Sequence, residues 1–358
     1  MHLRLEGVTS TWPGFTLEDI TIEIGDRQYF ALLGPTGSGK TLLLETMMGF
    51  HRLRGGRILA DDRDISMLPP GQRGFGYVPQ SGVLFPHLSV RQNIEFGLST
   101  MKIDQAARRR ASDEVMGELS ITHLERRQIQ NLSAGERQKV ALARVLVMKP
   151  RLMLLDEPLS SIDTEARRDL RNLLKRLHSE SGSSFIHVTH DQLEALSLAD
   201  SVAIMKGGRI TQKGSTAAVF SNPESEFVAR FLGYENILVP DSFRIDGDII
   251  RLTLNGKELL CSRRGYFPEA GRGSSGGGKF AVRPDHVTVS KRPTEFPNCI
   301  LGKITDFVDL GLLVELTLDV GFTLKSIITK DAFMDNALHD KDAVWVSLRP
   351  GSLVSLNG

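Results

Sequence analysis

The rhythm of apolar and polar positions changes twice along the chain. From about Leu3 to Gly233, short unbroken apolar runs recur, among them "YFALLG", "LMLLDE" and "SFIHVTH". Each leads into a turn and then a helical pattern. Strands buried on both faces read this way, so a covered, mostly parallel sheet is predicted. From about Ser89 to Pro150 helical periodicity dominates, which predicts a helical subdomain, about 89–150, inserted into an α/β core. After "FVARFLGYEN" the texture becomes short β-rich alternation with turn residues between, as in "DGDIIRLTLNGKELL", "KFAVRPDHVTVS" and "AVWVSLRPGSLVSL". That pattern predicts a small all-β barrel or sandwich. The boundary is expected near Gly233 to Asn236, giving domains 1–235 and 236–358. "AGRGSSGGGK", Ala270 to Lys279, has strand patterns on both sides and is expected to be a mobile loop inside the second domain.

Composition narrows the partners. A chain of 358 residues with 41% hydrophobic residues can bury two cores. Its 44 basic and 43 acidic residues leave a net charge of +1, so no global field draws it to nucleic acid or an anionic bilayer. Any polyanion must be bound locally. The arginine run Arg108 to Arg110 reads as a solvated helix face, and no nucleic-acid partner is expected. Two cysteines, Cys261 and Cys299, are too few for a disulfide framework and lack metal-ligand spacing. The start "MHLRLEGVTS" has no apolar targeting region, and no stretch approaches the roughly 18 apolar residues of a spanning helix. A soluble, cytosolic chain is expected.

The chemistry begins at "GPTGSGKT", Gly34 to Thr41. The stretch matches G-x-x-x-x-G-K-[ST] and lies between the strand "YFALL" and the helix "TLLLETMMGF", where the phosphate-binding loop has its mechanical meaning. Glycines let backbone N–H groups turn inward, and the helix N-terminus adds partial positive charge. Gly34, Pro35, Thr36, Gly37, Ser38, Gly39, Lys40, Thr41 and Leu42 are therefore candidate nucleotide contacts, with Lys40 reaching the β- and γ-phosphates and the Thr41 hydroxyl on Mg²⁺. "LMLLDEP" runs an apolar strand into two carboxylates, as a Walker B strand does. Asp156 would hold Mg²⁺ and Glu157 polarise an attacking water. "NLSAGERQKVALARVLV" opens a helix with Ser133 as N-cap and Glu136 as its capping-box partner, its apolar face carrying Val140, Ala143 and Val147. Capping explains the hydroxyl and the acid and leaves Gly135 without a reason.

Taken together these motifs resemble the ATP-binding subunits of ABC transporters, whose signature is LSGGQ. The resemblance spans essentially the whole first domain in the family's order, and implies an α/β P-loop ATPase fold with a helical subdomain. It implies that Gln80 in "GYVPQ" senses Mg²⁺ and the γ-phosphate, that Ser133, Ala134 and Gly135 form the signature turn, and that Asp163 in "LSSID" is the D-loop aspartate. His190 in "HVTHD" matches the switch histidine, whereas His187 is read as structural, bonding a carbonyl at a sheet edge. Trp12 stands where the family places an aromatic on adenine, with Phe15 as the alternative. The signature departs from the family at Ala134 and Glu136; Ala134 is tolerable if its φ is negative.

The resemblance further implies an enzyme, an ATPase working as a homodimer in which each P-loop faces the partner's signature, with ATP and Mg²⁺ as cofactors. It implies integral membrane permease subunits and an external substrate-binding protein as partners, and a peripheral place on the cytoplasmic side of the membrane. "SGVLFPHLSVRQNIEFGL", Ser81 to Leu98, is where the family receives a coupling helix, and Leu84, Phe85 and Leu88 are expected to share that role with packing. In the second domain, "NCILGKITDFVDLGLLVELTLDVGFTLKSIIT" resembles the molybdate-binding barrel module of molybdate and tungstate importers. An OB/MOP-like barrel that holds an oxyanion is implied there. The matching segment, Arg292 to Asn298, retains Asn298 but carries Glu295, Phe296 and Pro297 in place of small donors. Importers of sulfate, polyamine, iron or sugar remain alternatives. A soluble ATPase of this class acting on nucleic acid or ribosomes is a more distant one, since the chain shows neither long coiled coils nor a second cassette.

Overall fold

The computed structural model describes residues 1–80, 82–263 and 278–357. The loop expected at 270–279 lies, but for its last two positions, outside the described residues. The chain divides into two compact units, Met1–Val219 and Phe220–Gly358.

In the first unit the elements follow as β1 (Leu3–Trp12), β2 (Phe15–Ile24), β3 (Tyr29–Leu33), α1 (Lys40–Met48), β4 (Gly55–Ala60), β5 (Arg63–Asp64), β6 (Phe75–Val78), α2 (Val90–Ser99), α3 (Gln105–Glu118) and α4 (Ala134–Leu146). Then come β7 (Leu152–Asp156), α5 (Thr164–Ser181), β8 (Ser184–Thr189), α6 (Gln192–Leu198), β9 (Ser201–Lys206) and β10 (Arg209–Ser215). The apolar runs form the six-stranded sheet β10-β9-β3-β8-β7-β6, parallel except for β10 at one edge. Every residue of β3, β7 and β8 is buried. Alternation then assigns them to two cores. Leu152, Leu154, Ile186 and Val188 pack with α1 and the antiparallel sheet β2-β1-β4-β5, while Met153, Leu155 and Phe185 pack with α2, α4 and α5.

Helix α1 is fixed from behind. Its last carbonyls have no partner within the helix, and the buried Arg73 guanidinium supplies one, donating to Thr46 O at 3.2 Å and Met47 O at 2.6 Å as well as to Leu68 O and Ser66 O. A cation at this end also complements the helix dipole. The α2–α4 region is held by α2's own capping box, Ser89 with Gln92, and by Arg91, which pairs with Glu95, Asp113 and Glu125.

The second unit is antiparallel β throughout its sheets. Three strands pair as Asn236–Leu238, Lys279–Val282 and Val354–Leu356, and three as Ser242–Asp246, Ile249–Leu254 and Lys257–Ser262. Five more form the order Val287–Ser290, Ala343–Leu348, Asn298–Asp309, Leu313–Asp319, Thr323–Thr329. One apolar core, including Leu252, Leu316 and Val346, serves all three sheets. The division at Val219/Phe220 falls before the Gly233 to Asn236 expected from the change of rhythm. Buried Tyr234 donates to the Phe220 and Ser221 carbonyls, and Lys279 pairs with Glu226, so this short helical stretch belongs with the β sheets that follow it.

Candidate active site

Parallel strands place their carboxyl ends side by side, and loops leaving those ends form the natural crevice of such a sheet. Here Leu33 is registered with Thr189, Asp156 with Val188, and Val78 with Leu155. Four loops therefore meet at one edge: the P-loop after β3, Gln80 after β6, Glu157 after β7 and His190 after β8. A cleft of about 460 Å³ opens between them, lined by Phe15, Thr36, Gly37, the stretch 39–42, Gln80, Glu157 and His190.

The P-loop keeps donors available. Gly39 has φ 100° and a Cβ there would meet the Phe15 ring at 2.7 Å, so no other residue fits. Among the described residues no side chain caps α1, whose first residues line the cleft. Ser38 is buried and its Oγ has no hydrogen-bond partner among the described residues. Lys40, 5% exposed, donates to Gly34 O at 2.8 Å and Pro35 O at 3.0 Å. Burial pushes its ammonium down from the ordinary lysine range, while Glu157 and Asp156 pull it back up.

Asp156 ends β7 in the buried sheet. It accepts the Thr41 hydroxyl at 3.0 Å and the Tyr77 hydroxyl at 3.4 Å. Burial is the largest influence and raises its carboxyl above the usual range, with Glu157 adding to the rise and the Thr41 and Tyr77 bonds opposing it. Glu157 sits at φ 43°, a left-handed conformation costly for a residue with a side chain. The turn is held there because Glu157 N donates to Val188 O and its carbonyl accepts Ser160 N. Its carboxylate lies between Gln80 Nε2, at 3.2 Å, and His190 Nδ1, at 3.4 Å.

The structure does not bring every expected residue to this cleft. Ser133 and Glu136 make the capping box of α4, Ala134 has negative φ, and Asp163 caps α5 by accepting Ala166 N. Gly135 packs in the same place, with Ala166 and Ile162 as its neighbours. None of these lines the cleft. Trp12 also lies off it, its ring edge-on to His51 with centroids 4.9 Å apart, whereas its cross-strand partner Phe15 faces the cleft. Tyr77 was not anticipated. It is the aromatic of "GYVPQ", whose only sequence signal was its place just before Gln80. His187 is buried in β8 between β3 and β7, and so stands at the centre of the sheet, not at its edge. Its Nδ1 bonds the Tyr29 hydroxyl at 2.8 Å in place of the carbonyl expected for it, and Glu194 Oε2 lies 3.2 Å from its Nε2.

After Gln80, Val83 and Phe96 are exposed, the Phe85 ring lies tilted against Phe96 with centroids 4.3 Å apart, and Leu84 packs on the helical core. Ser81 lies outside the described residues. In the second unit the Asn298 and Thr294 side chains of the expected oxyanion segment are committed to protein partners. Asn298, 2% exposed, accepts Leu260 N and donates to Leu260 O, while the Thr294 hydroxyl pairs with Ser347 and accepts Phe296 N. A tetrahedral oxyanion bound by Asn298 or Thr294 would have to break these bonds.

Comparison with known proteins bears on both units. Residues 17–160 match the family model described as ABC transporter. The molybdate/tungstate import ATP-binding protein of Pyrococcus horikoshii is 38% identical over 98% of this chain and 99% of its own length. The spermidine/putrescine import ATP-binding protein of Acidothermus cellulolyticus is 34% identical over 92% of this chain and 86% of its own. Among solved structures, the Clostridium perfringens protein described as part of the ABC transporter complex cbiONQ superposes with a TM-score of 0.57 at 31% identity, covering 61% of this chain and 90% of that one. A dimeric bacterial ABC transporter cassette superposes with a TM-score of 0.55 at 25% identity, covering 60% of this chain and 98% of that one.

Proposed function

This chain belongs to the ABC transporter family of import ATP-binding proteins, and from that premise we propose that two copies pair head to tail around two ATP molecules to drive uptake of an oxyanion, molybdate or tungstate. The observation that carries the pairing is the split of the expected site. Lys40, Gln80, Glu157 and His190 share one cleft, while Ser133, Gly135 and Asp163 lie off it in the same unit. A second copy is the simplest source of the missing half.

Within that reading, the uncapped start of α1 and the P-loop N–H groups hold the phosphates, with Lys40 turning from the loop carbonyls to the β- and γ-oxygens. The all-oxygen set of Thr41, Asp156 and the Gln80 amide suits Mg²⁺, a hard cation. When bound, that ion neutralises charge on the phosphate oxygens. Glu157 polarises the attacking water, and its neighbours Gln80 and His190 orient it. The signature turn of the partner copy supplies N–H groups to the charge that builds up in transfer. Among the described residues no helix is long and apolar enough to cross a membrane, so transport needs a separate permease; the exposed Val83 and Phe96 face is proposed to receive it on the cytoplasmic side.

The substrate rests on the full-length likeness to the molybdate/tungstate importer ATPase and on the resemblance of the second unit. Likeness to the polyamine importer ATPases favours a second reading. The deciding experiment purifies the complex with its permease and asks which loaded binding protein stimulates ATP turnover. Stimulation by a molybdate- or tungstate-loaded protein is expected. Stimulation by a spermidine-loaded one instead would move the assignment.

A further inference from the structure

His190 occupies a turn whose two flanks are tied together by a buried polar chain that the roles above leave unused. Thr189 ends β8 and donates its hydroxyl to Glu194 Oε2 at 2.6 Å, while accepting the backbone N–H of Asp191 at 3.0 Å. His190 is the residue between. Glu194 lies on α6 and is 4% exposed; its Oε2 is also 3.2 Å from His187 Nε2. His187 Nδ1 is in turn 2.8 Å from the Tyr29 hydroxyl on β3, the strand that leads into the P-loop. Asp191 completes the turn by capping α6 through Leu193 N and Glu194 N.

A hydroxyl has one proton to give. Because Thr189 gives it to Glu194, its lone pairs are left to face the Asp191 N–H, and the direction of the whole relay is set by the carboxylate at its end. Packing α6 on β8 does not demand an acid: an apolar residue would fill the position, and a buried carboxylate is costly unless paired. Burial alone would raise the Glu194 carboxyl, yet the neighbouring His187 ring, 3.2 Å away, and the hydrogen bond from Thr189 hold it below its ordinary value.

We infer that Glu194 is a positioning residue for hydrolysis, orienting the Thr189 hydroxyl so that the Asp191 N–H is pinned and the turn presents His190 to Glu157 and the cleft. The inference rests on the role given above to His190. His190 itself is set 3.4 Å from Glu157 by this turn, and loosening the turn misplaces it without touching the P-loop contacts that bind ATP.

Steady-state ATP turnover of the full-length protein tests this with paired variants. Thr189→Val, which keeps the shape but removes the hydroxyl, and Glu194→Ala are each expected to lower kcat by about 10-fold or more with KM for ATP unchanged. Thr189→Ser and Glu194→Gln, which each keep an oxygen in place, are expected to stay within about 3-fold of the parent. Should Glu194→Ala fail to fold, the Thr189 pair decides the matter alone. Equal losses in Thr189→Val and Thr189→Ser, a rise in KM at constant kcat, or no loss in either alanine or valine variant would overturn the inference. His190→Ala run alongside separates the two claims. If it leaves kcat intact, the reading of His190 fails; if it abolishes turnover while Thr189→Val does not, only the relay fails.

Discussion

Two segments of this molecule offer similar chemistry and do opposite things with it. Gly34 to Thr41 and Arg292 to Asn298 both follow strand patterns, and both offer hydroxyls or amides where an anion could be held. In the first, among the described residues, Ser38 Oγ is buried without a partner, no side chain caps α1, and a glutamate nearby is kept in a left-handed conformation. In the second, Asn298 spends both amide atoms on Leu260 and Thr294 pairs with Ser347, so the donors knit neighbouring strands together. A run of donors in the sequence therefore identifies a site only when the fold leaves them unspent. Polar groups left strained or unpaired in a buried place cost stability, and such a cost is a mark of function.

The sharpest way to break this contrast is at the cleft's own carboxylate. Glu157→Gln is expected to lower kcat by about 10³-fold while nucleotide binding persists, and to accumulate an ATP-bound dimer visible by size-exclusion chromatography. Unchanged turnover would remove Glu157 from the chemistry and leave the cleft's strain without a purpose. Next in size is Gly135→Ala. Gly135 is helical with negative φ, and an added Cβ meets Ala166 at an ordinary 3.5 Å, so within one chain alanine should be tolerated and stabilise α4 by about 1 kcal/mol. If a partner's phosphate approaches this turn, the same variant should lose turnover by about 10²-fold. A lower unfolding temperature with normal turnover would mean the glycine serves the chain's own packing, and the two-copy site would lose its support.

The second segment should respond in the reverse sense. Asn298→Ala leaves the Leu260 N–H and carbonyl, which are partly buried, without these bonds, at a cost of about 2 kcal/mol. Thermal unfolding should register that loss while ATP turnover holds, and turnover of the parent protein should be indifferent to added molybdate or tungstate. An inhibitory response to either anion, lost in Asn298→Ala, would place an oxyanion on donors that otherwise bond Leu260. A smaller effect distinguishes the aromatics: Phe15→Ala should weaken ATP binding by about 10-fold and Trp12→Ala by less, since Phe15 faces the cleft and Trp12 packs on His51.

What was legible in the sequence is what local spacing encodes. The P-loop and the Asp156–Glu157 pair read directly from a strand running into a turn, the buried parallel sheet from apolar runs too unbroken for a one-sided strand, and His190 only through the family resemblance. The remainder depends on where a side chain reaches after the fold has closed. Nothing in the spacing around Arg73 points to α1, yet its guanidinium caps the C-terminal end of that helix. Whether Trp12 or Phe15 faces the cleft is settled by a two-residue hairpin turn, and both are aromatic in the sequence. Tyr77 joins the site by a hydroxyl that reaches Asp156 from a neighbouring strand. His187 looked like an edge residue because strand order is not written in any single strand. The early break at Val219/Phe220 depends on Tyr234 bonding back along the chain, which no change of composition announces.

The contrast has a thermodynamic corollary at Asp156. Its carboxyl is raised in the folded protein, chiefly by burial, so the native state holds the proton more tightly than the unfolded chain, whose aspartates titrate near 3.8. The stability associated with the protonated form is complete below that value and is lost as pH rises through the raised folded pKa. At neutral pH the ionised Asp156 therefore weakens the fold it sits in. Asp156→Asn copies the neutral form and keeps an acceptor for the Thr41 hydroxyl. It should unfold at a higher temperature than the parent at pH 7, with the gap narrowing as pH falls toward 3.8, and should lose Mg²⁺-dependent turnover. A parent protein that is the more stable of the two at neutral pH would show that the carboxylate is paired to the fold's advantage, as Asn298 is. The cleft and the spent segment would then differ in geometry alone, with no difference in cost to single out the functional one.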